Sequence, residues 1–189
     1  MTKKTIISMI ECANLVALAV VIRFLFRTLP LTAADGGSYS LAMLPLLVLA
    51  LRRGSVYGLV GGILYGTISF IYGSSSHILS LLLDYLIAFG AVGILGLGKK
   101  DKNYLQIIML VCTIILIRLA SSTLCGIVVY KVSFIPSLIY NAPYILVSGL
   151  ACLIILLILK NRSIIYMSLH IEEDKYEKDD YIWFRWNIT

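Results

Sequence analysis

Charge is scarce in this chain. Asp, Glu, Lys and Arg make up 14% of its 189 residues, against about 25% in soluble domains, and the mean hydropathy is +0.94. That excludes an ordinary soluble domain. Histidine is nearly absent as well: His77 and His170 are the two in the chain, and neither has companions spaced to complete a metal site or a nucleophile and base pair. The scarcity argues against an embedded hydrolase or metalloenzyme. Cys12, Cys112, Cys125 and Cys152 lie in apolar stretches without paired spacing, so they read as small buried hydrophobes and not as a disulfide framework. No Gly-Lys-Ser or Gly-Lys-Thr phosphate loop occurs, which excludes ATP hydrolysis by this chain itself. The net charge of +6 forms no continuous basic stripe, and a nucleic-acid partner therefore finds no support.

What the sequence has in abundance is apolar length. Apolar residues make up 60% of the chain and gather into stretches at 5–26, 40–51, 56–72, 78–97, 105–130 and 135–159. A hydrocarbon core about 30 Å thick takes about 20 helical residues to cross. The pattern predicts an all-α membrane protein, a six-transmembrane-helix bundle over 1–162, followed by a cytoplasmic tail over 163–189 that mixes acids, lysines and aromatics. The stretch 40–51 is short, and is read as tilted, extended by Gly36-Gly37-Ser38, or only partly embedded. The first stretch is too long for a signal-peptide core and lacks a small-residue cleavage site, so it reads as the first helix. Lys3, Lys4, Arg52, Arg53, Lys99, Lys100, Lys102, Lys160 and Arg162 fall at alternate connections, whereas Arg27 and Lys131 fall at the others. The positive-inside rule then puts both termini in the cytoplasm.

Two polar side chains stand out inside these stretches, Asp84 and Asn141. An Asp at a helix centre costs about 2.5 to 3.5 kcal/mol, so such groups normally face a cavity and serve a function. The alternative for Asp84 is a salt bridge to Arg118 of the fifth stretch or to another helix, and pairing with Arg118 need not exclude a role near substrate. Small residues form faces of their own. Gly58, Gly62 and Gly66 recur every four residues, a spacing that lets helix backbones approach closely and reads as internal packing. Gly90, Gly93 and Gly96 make a second narrow face, and Ala13 and Ala17 a ridge on the first helix.

Four separated blocks carry a family resemblance. Gly36-Gly37-Ser38-Tyr39-Ser40-Leu41-Ala42-Met43-Leu44-Pro45, Leu51-Arg52-Arg53-Gly54, Leu83-Asp84-Tyr85-Leu86-Ile87-Ala88-Phe89 and Ser137-Leu138-Ile139-Tyr140-Asn141 occur in this order. From about Ala13 to Leu159 the chain resembles the thiamin-specific S components of energy-coupling factor (ECF) transporters, the ThiT family. That resemblance implies a six-helix subunit of a bacterial cell membrane that captures thiamin from outside. It implies partners too: a transmembrane coupling protein and two cytoplasmic ATPases that alone use ATP, with Ala13 and Ala17 packing on the coupling protein. Membrane lipid surrounds the subunit, thiamin is transported cargo, and no cofactor is covalently bound.

Thiamin asks for an acceptor at its exocyclic amine, an offset for its thiazolium charge, and flat aromatic faces. Under the resemblance, Asp84 takes the acidic role, Tyr85 stacks, Asn141 meets the pyrimidine edge, and Tyr130 is the aromatic after the Gly126 block. The family typically carries histidine where this chain has Ser122, and tyrosine where it has Pro136, and the connection from Tyr130 to Pro136 is short. The substitutions open the substrate to a pyrimidine precursor or another vitamin. His77, at the outer end of the fourth stretch, is a candidate to replace the missing histidine across space, against simple solvation at a helix end. Ser40, Tyr65 and Tyr144 are further lining candidates. Two other functional classes stay open: a membrane scaffold in which Asp84, Arg118 and Asn141 clamp helices together, and a secondary transporter, for which the sequence offers no evident internal repeat.

Overall fold

A computed structural model describes residues 3–28, 39–73, 77–98 and 102–161. The tail over 163–189 and Gly36-Gly37-Ser38 lie outside the described residues. Among the described residues six helices follow one another: α1 (Lys3–Thr28), α2 (Met43–Arg53), α3 (Ser55–Ile71), α4 (Ile78–Gly96), α5 (Tyr104–Val128) and α6 (Phe134–Asn161). By length and composition α1, α4, α5 and α6 can each cross a membrane, and α3 is a shorter apolar helix of 17 residues. Their outer faces expose side chains that suit lipid, among them Ile10, Val21, Leu64, Leu116 and Ile154.

α2 is different. Its 11 residues rise only about 16 Å, and Leu46, Leu47, Leu49 and Ala50 are fully buried. It packs against α1, α3, α4 and α6, so the short second stretch is a helix enclosed by the bundle. Pro45 sits in its first turn, where a missing N–H costs nothing. Gly54, at φ 92°, then turns the chain straight into α3, a left-handed backbone that glycine adopts at least cost. Arg52 and Arg53 at this turn both pair with Glu11 and tie α1 to the hairpin.

The glycine ridge of α3 packs internally, as its spacing predicts. A Cβ on Gly62 would collide with the Phe89 carbonyl, and one on Gly66 would lie 2.7 Å from the Tyr85 carbonyl oxygen. The two backbones therefore meet without side chains between them. Gly96 sits in the same way against Ser55. α5 begins on a capping box, with the Asn103 N–H donating to the Gln106 side chain at 3.1 Å. Cys12, Cys125 and Cys152 are buried, Cys112 is half-buried, and all four are free thiols.

α4 is not one regular helix. Residues Leu81–Ile87 wind as a π-helix, and Ala91–Gly96 as a 3-10 helix. π turns are rare and tend to occur at functional positions. This one carries Asp84 and Tyr85.

Candidate functional site

α1, α4, α5 and α6, with the segment leading into α2, enclose a cavity of about 1010 Å³. That is at the upper end of the usual range for small-molecule sites, about 300 to 1,000 Å³. Asp84 and Tyr85 line it from α4, Ser122 and Gly126 from α5, Asn141 and Tyr144 from α6. Tyr130 joins them from the α5–α6 connection, Ser40 from the segment before α2 and Tyr65 from α3. His77 does not: it is exposed at the start of α4 and is not among the cavity-lining residues.

Two neighbouring serines of α5 grip the π turn. Ser121 donates to the Leu83 carbonyl, and Ser122 donates to Oδ1 of Asp84. The first contact supports backbone that an α-helix would have paired within itself. The second orients the carboxylate and brings Ser122, one of the residues expected at the site, into contact with it. Among the described residues the ion pairs are those of Glu11 with Arg52 and Arg53. Asp84 is thus not bridged to Arg118, whose guanidinium lies 4.6 Å above the Phe89 ring with the Met43 sulfur at 3.7 Å. The pairing with Arg118 considered for Asp84 is thus not formed among the described residues, and its hydrogen-bond partner on α5 is Ser122.

Asn141 is held at both ends of its amide. Its Nδ2 donates to the Ser137 carbonyl at 2.9 Å and reaches the Ser122 carbonyl at 3.5 Å, while Oδ1 accepts from the Tyr144 hydroxyl at 2.5 Å. Both donor hydrogens thus have acceptors, the one toward Ser122 at long range, and one lone pair of Oδ1 is left over. A Cβ on Gly126 would collide with the Ser137 hydroxyl, so glycine there lets α5 and α6 close and lets Ser137 donate to the Thr123 carbonyl at 3.0 Å. Gly126 acts through backbone proximity, with no polar side chain to offer.

Aromatic rings form the remaining walls. Tyr65 meets Phe89 edge to face at 4.7 Å, Phe70 meets Tyr85 at 5.5 Å, and Tyr140 meets Tyr144 at 6.0 Å. Phe89, Tyr140, Tyr39 and Arg23 line the cavity without having been singled out from the sequence. Arg23 had a usable signal, since it is an ionisable residue within an apolar stretch, the criterion that marked Asp84. Tyr39 and Tyr140 fall inside the blocks of family resemblance. Among the described residues no cluster of three His, Cys, Asp or Glu side chains could hold a metal ion. The arrangement offers one carboxylate, an oriented amide and several ring faces, a set that binds and orients a flat, polar organic molecule.

Residues 9–167 match the family model described as thiamine transporter protein (Thia_YuaJ). The chain belongs to this family. A relative within it, the thiamine transporter ThiT of Bacillus subtilis (strain 168), is 32% identical over 180 residues, covering 82% of this chain and 91% of that protein. A solved structure of ThiT from Listeria monocytogenes matches the fold with a TM-score of 0.65 at 22% identity, over 87% of this chain and 99% of that one. The family expected from the four sequence blocks is therefore the one found. Its relatives are named as transporters and not as enzymes.

Proposed function

We propose that this chain is the substrate-capture subunit of an ECF-type vitamin transporter and that its cargo is thiamin. The observation that carries the reading is convergence: in a chain of the thiamine transporter family, Asp84, Tyr85, Ser122 and Asn141 come from three helices to line one cavity. Asp84 accepts a hydrogen bond from the exocyclic amine of the pyrimidine and offsets the thiazolium charge. A charge-assisted bond of this kind is about twice as strong as a neutral one. Asn141, its rotamer fixed by Tyr144, meets the pyrimidine edge, and the Tyr85 and Tyr140 rings hold the flat heterocycles.

No bond is made or broken in such a cycle. Energy comes from ATP hydrolysed by two cytoplasmic ATPase subunits and delivered through a transmembrane coupling protein. Ala13 and Ala17 are exposed on α1, which suits them to pack on that coupling protein. The subunit sits in the bacterial cell membrane with both termini cytoplasmic, and residues 1–162 form its membrane domain with 163–189 as a tail.

Ligand protection tests the reading. Thiamin at about a hundred times its Kd stabilises the folded state by about 2.7 kcal/mol, so the unfolding midpoint of detergent-purified protein should rise clearly. A midpoint that does not move with thiamin, its pyrimidine precursor or riboflavin would favour the scaffold alternative. Mass spectrometry of small molecules that copurify identifies the cargo directly.

A further inference from the structure

Where Asp84 stands is decided by the peptide units on either side of it before its own rotamer matters. A peptide unit is flat, so the Leu83 carbonyl shares a plane with the N–H and Cα of Asp84, and whatever holds that carbonyl sets the direction in which the chain enters the acid. Ser121 of α5 holds it, its hydroxyl donating to the Leu83 oxygen. Beyond the acid, the Tyr85 carbonyl lies so close to Gly66 of α3 that a Cβ there would stand 2.7 Å from the oxygen. The peptide units before Asp84 and after Tyr85 are thus braced by two different helices.

Bracing counts for more here than in ordinary helix. An α-helix fixes each peptide unit by regular pairing four residues along the chain, and the π winding of Leu81–Ile87 departs from that pairing, so a partner outside the helix takes over part of the task. Ser121 is not obliged to be that partner. Thr113 of the same helix shows the self-contained arrangement, donating back to the Met109 carbonyl at 2.9 Å, whereas Ser121 reaches across to α4 at the peptide that leads into the acid. Ser121 is buried and is not among the cavity-lining residues. Its neighbour Ser122 meets Oδ1 of Asp84, so one serine fixes the main chain at the acid and the next fixes the tip of the side chain.

We propose that Ser121 is a positioning residue of the cargo site: without touching the cargo, it places Asp84 through the Leu83 carbonyl and thereby sets how tightly the site binds. The inference rests on the thiamin reading above and deepens it.

Calorimetric titration of the full chain with thiamin in a neutral detergent tests this on the parent, Ser121→Ala, Ser121→Thr, Asp84→Asn, and Ser121→Ala combined with Asp84→Asn. Ser121→Ala should weaken binding about five- to tenfold, equivalent to about 1 to 1.4 kcal/mol, and Ser121→Thr, which keeps the hydroxyl, should recover most of the loss. In the Asp84→Asn background the same alanine should change little, because the charge it positions is gone; a general weakening of the fold would carry over in full. Hydrogen exchange without cargo gives a second reading: amides of Leu81–Ile87 should exchange faster in Ser121→Ala than in the parent, and those of α1 at the same rate. Undiminished affinity in Ser121→Ala, a loss that persists in full beside Asp84→Asn, or unchanged exchange over Leu81–Ile87 overturns the positioning role and leaves the thiamin reading standing. So does a loss that threonine fails to recover although its unfolding midpoint without cargo equals the parent's. A parent that binds no thiamin overturns both.

Discussion

Ser122 donates its hydroxyl hydrogen to Oδ1 of Asp84, joining two helices through residues 38 positions apart in the chain. The bond fixes the carboxylate at the cavity wall.

Asp84→Asn keeps the shape and removes the charge. Hydrogen bonds to charged groups contribute about 1.5 to 3 kcal/mol, so thiamin affinity should fall about ten- to a hundredfold while the protein still folds. Calorimetry on the purified variant checks this, and affinity equal to the parent's would show that the acid does not touch the cargo. Ser122→Ala should cost less, about 1 kcal/mol, because the carboxylate remains but is no longer aimed.

Tyr144→Phe removes the hydroxyl that pins Asn141 Oδ1. The amide then gains freedom, and affinity should fall by about 1 kcal/mol. If Tyr144 works by positioning Asn141, the loss should be absent in an Asn141→Ala background, so a double-mutant cycle is the measurement. Full additivity of the two losses would mean that Tyr144 contacts the cargo independently.

Gly62→Ala places a methyl against the Phe89 carbonyl. Overpacking of this kind costs about 1 to 3 kcal/mol, and the clash pushes α4 outward at the level of the site. The unfolding midpoint without ligand should drop. Leu64→Ala, at a partly exposed position of the same helix, serves as the control and should change it much less.

Ala17→Trp should leave thiamin affinity unaltered, since Ala17 is exposed on α1 and does not line the cavity. Copurification of the coupling protein and ATPases with the tagged subunit should decline sharply. Undiminished recovery of the whole complex would move the interface to another face.

The helices were legible because bilayer thickness dictates their length, and the internal face of α3 because Gly58, Gly62 and Gly66 share one side of a helix. Asp84 and Asn141 were legible through the cost of placing polar groups at depth. Local sequence could not disclose the π turn of Leu81–Ile87: its support comes from Ser121, 38 positions from the carbonyl it bonds. Nor could it show that Asn141 is locked by Tyr144 and Ser137, since their spacing along α6 is equally compatible with other rotamers. His77 was attractive as a histidine near the right end, but its exposed place at the start of α4 keeps it out of the cavity lining.

The π turn has a mechanical consequence. Such a winding is an α-helix holding one surplus residue, so removing a single leucine between Leu81 and Leu83 would let α4 relax to ordinary pitch. Gly62 and Gly66 anchor the later half through its backbone, and the correction would fall on the earlier half, swinging Ser80 about 100° around the axis and off its contact with Cys125. The extra residue thus works as a phase shifter, letting one rod show its acid to the cavity while both of its ends keep the register their neighbours demand.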